Sequence, residues 1–154
     1  MDDFKNHKSF ADLAFKYKKL WTPAMLGVFE KMIRTQSWWD TVDAISAKLV
    51  GGLIQQFPTD LMPHMEKWIT DAESFWIQRC ALIFQLSYKD ETNEDMLFRF
   101  CAIRMKDSEF FIRKAIGWSL RQYSKNNPSA VRRFIEANSE ELSPLSKREG
   151  SKYI

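Results

Sequence analysis

The chain is 154 residues long, 45% hydrophobic and 28% charged, with five Gly, five Pro and a formal net charge of +3. That length and composition suit one compact globular domain, 1–154, and exclude a low-complexity or fibrous chain. Two cysteines without CxxC spacing (Cys80, Cys101) and two isolated histidines (His7, His64) argue against a disulfide framework, a metal site or a histidine triad.

Apolar residues recur at helical spacing along nearly the whole chain, and strict alternation over a strand length is hard to find, which predicts an all-α fold. Helices are expected at about 8–20, 23–35, 38–56, 59–69, 74–88, 92–106, 109–125, 128–137 and 144–153. The N-terminus, Met1-Asp2-Asp3-Phe4-Lys5, is acidic and polar rather than a signal sequence, and no apolar run reaches the roughly eighteen residues of a membrane span. A soluble intracellular protein is expected, with no membrane partner. Phe4, Phe10, Leu13, Phe15 and Tyr17 make the first segment apolar with little to cap it, so self-association through the N-terminal helix is expected. Thr22-Pro23 and Ser143-Pro144 read as N-caps followed by proline at the first helical position.

Three helices begin alike, at Ser37-Trp38-Trp39, Ser74-Phe75-Trp76 and Ser108-Glu109-Phe110-Phe111, their serines 37 and then 34 residues apart. A period in this range marks an α-solenoid, in which each helix pair buries its apolar stripe by stacking on its neighbours. Short connections make successive helices antiparallel. The doubled aromatics are expected to wedge neighbouring pairs together, with Trp38 and Trp76 assigned to packing. Trp39 and Asp43 are four residues apart, hence neighbours on one helix face. Charge is uneven: residues 99–133 hold nine basic and two acidic side chains, whereas residues 1–98 hold eleven basic and fourteen acidic. A polyanion-facing side and a set of ordinary solvated helix faces both account for this.

Four segments together resemble the AlkD-type DNA alkylation-repair glycosylases, which are built from HEAT-like helical repeats. They are Ser37-Trp38-Trp39-Asp40-Thr41-Val42-Asp43, Phe75-Trp76-Ile77-Gln78-Arg79, Phe110-Phe111-Ile112-Arg113-Lys114-Ala115-Ile116-Gly117-Trp118, and Leu142-Ser143-Pro144-Leu145-Ser146-Lys147-Arg148-Glu149. The resemblance runs from about Phe15 to the C-terminus. Members of that family carry further helical repeats upstream, so the chain is expected to be N-terminally short. It implies a solenoid of antiparallel HEAT-like pairs with a concave basic face that grips duplex DNA, in the cytoplasm or, in a bacterium, on the nucleoid. The implied reaction is excision of cationic alkylpurines such as 3-methyladenine and 7-methylguanine, with no cofactor. A cationic purine is already a good leaving group, so what remains is to stabilise an oxocarbenium-like sugar and orient a water, which one carboxylate can do.

By position, the resemblance implies Asp43 as the catalytic carboxylate, Trp39 and Trp118 as indoles flanking the deoxyribose, and Arg79 as a contact to the phosphate backbone. Arg113 and Lys114 would supplement backbone binding. From the residues alone, Asp43 reads equally as a solvent-facing carboxylate, Trp39 and Trp118 as core aromatics, and Arg79 as an ion-pair partner of Asp43. The alternative to an enzyme is a catalytically inactive HEAT-like module that binds DNA or protein.

Overall fold

The computed structural model describes residues 10–35 and 38–154, and among these every regular element is helical. In chain order they are α1 (residues 10–16), α2 (Met25–Thr35), α3 (Trp39–Ala44), a π-helical segment (Ile45–Val50), α4 (Gly51–Gln56), α5 (Pro58–Trp68), α6 (Phe75–Ile83), α7 (Glu94–Arg104), α8 (Phe110–Ser124), α9 (Pro128–Ala137) and α10 (Pro144–Gly150), with short 3-10 helices at Lys18–Leu20 and Lys89–Glu91. Several helix ends differ from the sequence reading, among them those of the first helix, at 16 rather than 20, and of the last, at Gly150 rather than 153. Thr22-Pro23 lies in a turn, where Met25 N–H donates to the Thr22 carbonyl at 3.0 Å, so the second helix starts two residues later than expected. The helix expected to reach 88 stops at Ile83, because Phe84 and Tyr88 are buried in the turns that follow and prolong the apolar pattern beyond the helix.

The chain divides into two compact units, Met1–Ser87 and Tyr88–Ile154. At the centre of the first is α6, whose residues Ile77 to Ile83 are all buried. A helix apolar around most of its circumference belongs inside a core. Phe29 and Ile33 of α2, Ile45, Leu49, Leu53 and Ile54 of the central helical run, and Met65 of α5 complete this core. Trp21 is buried edge-on between Phe15 and Phe29, at ring distances of 6.1 and 5.7 Å.

From Trp39 to Gln56 the helix runs without a cap, through the π segment. Asp43 pairs with Arg79 of α6, and Gly51 approaches the carbonyl of Phe84, the residue that follows α6, so closely that no Cβ would fit. In an uninterrupted α-helix, positions eight apart are offset by about 80° around the axis. The wider i→i+5 turns of the π segment reduce that offset and bring Asp43 and Gly51 onto one face.

In the second unit α8 is central, with Ile112, Ala115, Ile116 and Leu120 buried. Its close partner is α10. A Cβ on Gly117 would lie 2.6 Å from the Glu149 Cβ, and one on Gly150 would lie 3.2 Å from the Leu120 Cβ, so the absence of side chains sets the approach. Ser146 Oγ, inside this contact, donates to the Arg113 carbonyl at 2.8 Å. Asn93, Asn127 and Ser143 cap α7, α9 and α10 through side-chain oxygens that accept a backbone N–H three residues on.

Of the three repeated serines, Ser74 caps its helix by accepting from Ile77 N–H, Ser37 lies outside the described residues, and Ser108 is displaced by Glu109 as N-cap. The doubled aromatics are not uniformly wedges either. Trp38 is 60% exposed, which corrects its assignment to packing, and Phe110 is exposed as well. Phe75 and Trp76 are half-buried against each other at 4.5 Å. Trp38 precedes the first turn of α3 and Phe110 opens α8, and both face outward, which a repeat in sequence does not reveal.

Candidate functional site

Asp43 stands in α3 just before the π segment, and Arg79 projects from the buried face of α6. The two form a fork: Arg79 Nε donates to Asp43 Oδ1 at 2.8 Å, and Nη2 donates to Oδ2 at 3.0 Å. The Arg79 side chain is 4% exposed and that of Asp43 13%. Paired geometry of this kind is the strongest form of a carboxylate–guanidinium contact. Burial makes it a poor stability device, since desolvation offsets the attraction, yet breaking one partner leaves a charge uncompensated. What the fork does fix is orientation: Asp43 cannot rotate without losing two hydrogen bonds. Each oxygen gives one lone pair to Arg79 and keeps capacity for another partner.

Trp39 lies one turn before Asp43 on the same helix face, and it is 50% exposed, so it is not a core aromatic. Trp39, Asp43 and Arg79 thus form one constellation in the first unit, an oriented carboxylate beside an accessible indole. Chemically it can attract a developing cation and hold a water. Arg79 is turned inward onto Asp43 rather than outward.

Trp118, Arg113 and Lys114 belong to α8 of the second unit. Trp118 is half-buried. Lys114 Nζ pairs with Glu149 Oε1 at 2.8 Å, and Arg121 Nη1 with Glu149 Oε2 at 3.1 Å. The hydrogen bond from Lys114, with support from Arg121 and Arg148, overrides burial and holds the Glu149 carboxyl below its ordinary value. The basic excess of residues 99–133 shrinks accordingly, since Arg99, Arg104 and Lys106 also have acidic partners in Asp95, Asp107 and Glu141. Arg113, Arg132 and Arg133 make no ion pair among the described residues. The role of Glu149 was not legible in sequence. Lys114 and Arg121 sit two turns apart on one face, a slot for a carboxylate, but that carboxylate comes from a helix beyond α9. Among the described residues no three His, Cys, Asp or Glu side chains form a metal-holding group. Among the same residues no helix is long and apolar enough to cross a membrane.

Residues 7–154 match the family model of the DNA alkylation repair enzymes. The chain belongs to that family. A solved structure described as a predicted DNA alkylation repair enzyme from Enterococcus faecalis is similar to this family member with a TM-score of 0.83 and 40% sequence identity. The match covers 94% of the present chain and 66% of the Enterococcus chain, so the present chain spans just under two thirds of that relative's length. No curated protein matches it. The all-α class read from periodicity is the class of the fold.

Proposed function

We propose that the chain is a DNA glycosylase of base excision repair, hydrolysing the bond between deoxyribose and a cationic alkylpurine, 3-methyladenine or 7-methylguanine, in duplex DNA. The observation that carries this reading is the Asp43 carboxylate, fixed by the Arg79 fork beside the half-exposed Trp39. As the bond to an alkylated purine breaks, positive charge develops on the sugar. A carboxylate already oriented and only slightly exposed stabilises that charge without reorganising. The same oxygens can position the attacking water as base. Trp39 offers its ring face to the sugar and its cation. Since Arg79 is nearly buried and engaged by Asp43, its part is to position the carboxylate. Trp118, Arg113 and Lys114 are assigned to DNA binding. The purine leaves without prior protonation, so the reading calls for no cofactor.

Release of 7-methylguanine from methylated duplex DNA tests this. The unmodified chain should release it, and Asp43→Asn should lose on the order of 10²-fold in rate, the scale set by removing one preorganised electrostatic group. Equal release by both would remove Asp43 from the mechanism. The competing reading is a DNA-binding or protein-interaction module without activity. It would be upheld by salt-sensitive duplex binding with no release from either form. Localisation with DNA in the cytoplasm follows from the enzyme reading.

A further inference from the structure

A second charged cluster sits where α7 hands over to α8. Arg104 closes α7, Asp107 lies in the connection, and Arg113 falls in the first turn of α8. The Asp107 carboxylate accepts from Arg104 Nη2 through Oδ2 and from the Glu109 backbone N–H through Oδ1 at 2.8 Å. Burial pushes its pKa up, but the Glu109 N–H, Arg104 and the nearby charge of Arg113 outweigh burial and hold it below the ordinary carboxylate value. Arg104 thus pairs with the carboxylate, and the charge of Arg113 lies near it without an ion pair. Arg104 Nε and Arg113 Nε are both shielded from solvent and donate to nothing. Buried polar groups are so regularly satisfied that two orphaned donors near one anion mark a place short of acceptors. The neighbouring Lys106 is occupied by Glu141 at 3.0 Å, and that pair supplies no acceptor to the arginines. Ile103 and Phe110, adjoining the cluster in sequence, are exposed.

We propose that Arg104 and Arg113 form a phosphate-binding site whose ligand is a phosphodiester of duplex DNA, with Asp107 standing in for the phosphate while no DNA is bound. The proposal rests on the DNA reading above and adds Arg104 and Asp107 to it. Guanidinium forks match phosphate oxygens in geometry and charge, and a phosphate brings more acceptor sites than the single carboxylate supplies. The stand-in role gives the cluster a sign that a scaffold would not have: removing an arginine weakens DNA binding, whereas removing the charge of Asp107 strengthens it.

Duplex binding by fluorescence anisotropy across a salt series reads this directly. Arg104→Gln and Arg113→Gln should each weaken binding and lower the slope of log K against log salt by about one unit. Asp107→Asn should bind several-fold more tightly, since the amide oxygen can still accept from Glu109 N–H and keep the turn. Weakening by Asp107→Asn to the same degree as Arg104→Gln would show a scaffold and overturn the site, as would unchanged slopes in both arginine variants. Nitrogen-15 spectra of the two Nε–H groups distinguish the anion's source. Shifts with duplex but not with inorganic phosphate support the proposal, and saturation by inorganic phosphate with no response to duplex overturns it. Should the chain bind no duplex, the DNA reading itself fails. Saturation of the Nε signals by inorganic phosphate would then keep an anion site, and no shift would remove it.

Discussion

Asp43 and Arg79 constrain one another, and each is expensive to remove alone. Arg79→Gln leaves Asp43 charged and nearly buried, so a loss of about 3–5 kcal/mol is expected, read as a lowered denaturation midpoint. Pairing that change with Asp43→Asn should cost less than the sum of the two, a coupling that a double-mutant cycle measures. Arg79→Lys keeps the charge but not the fork, and should reduce base release more than it reduces stability. The two thiols behave differently, because burial pushes both Cys80 and Cys101 up to about 12 from an ordinary 9.0. Between those values the unfolded chain loses thiol protons that the folded chain keeps. Stability is therefore complete below pH 9 and falls as pH rises toward 12. At pH 8 both thiols should resist alkylation until denaturant is added, and ready labelling of the native chain would contradict their burial.

Helix against helix, the contact between α8 and α10 is set by glycine and by one carboxylate. Gly117→Ala places a Cβ 2.6 Å from that of Glu149. Although alanine favours the helix by about 1 kcal/mol, overpacking of this kind costs about 1–3 kcal/mol, so the net outcome expected is destabilisation, visible in thermal melts. Glu149 links the same helices through Lys114 and Arg121, with its folded pKa held below the ordinary 4.5. Its contribution is present above 4.5 and is lost as pH falls through the lower folded value. A melt series from pH 6 to 3 should show less acid sensitivity in Glu149→Gln than in the unmodified chain. The helices themselves were largely legible, since periodicity and a cap such as Ser143-Pro144 act locally. The π segment was not, because nothing in Ile45-Ser46-Ala47-Lys48-Leu49-Val50 marks it, and its reason lies in the contacts that Asp43 and Gly51 make with Arg79 and Phe84.

For the molecule as a whole, the chain is a member of the DNA alkylation repair enzymes and matches the Enterococcus structure over 94% of its own length. Phe10, Leu13, Tyr17 and Leu20 recur at helical spacing at the start of the chain and are exposed, Leu20 by 76%. Self-association through this stripe is the expected consequence. Sedimentation at rising concentration should show a growing species that Leu13→Glu with Leu20→Glu abolishes, and a strictly monomeric unmodified chain would refute the idea.

Periodicity, caps and the four matching segments sufficed by themselves for the all-α class, the family and the pairing of Trp39 with Asp43 on one helix face. These depend on contacts within a turn or two, which spacing encodes. Tertiary structure decided that Arg79 faces inward onto Asp43, that Trp38 is exposed rather than packed, that Glu149 takes up Lys114, and that Arg104 pairs with Asp107. Those outcomes turn on which side chains meet across helices, where a basic residue finds its acid 28 to 36 positions away or in a turn that spacing does not expose.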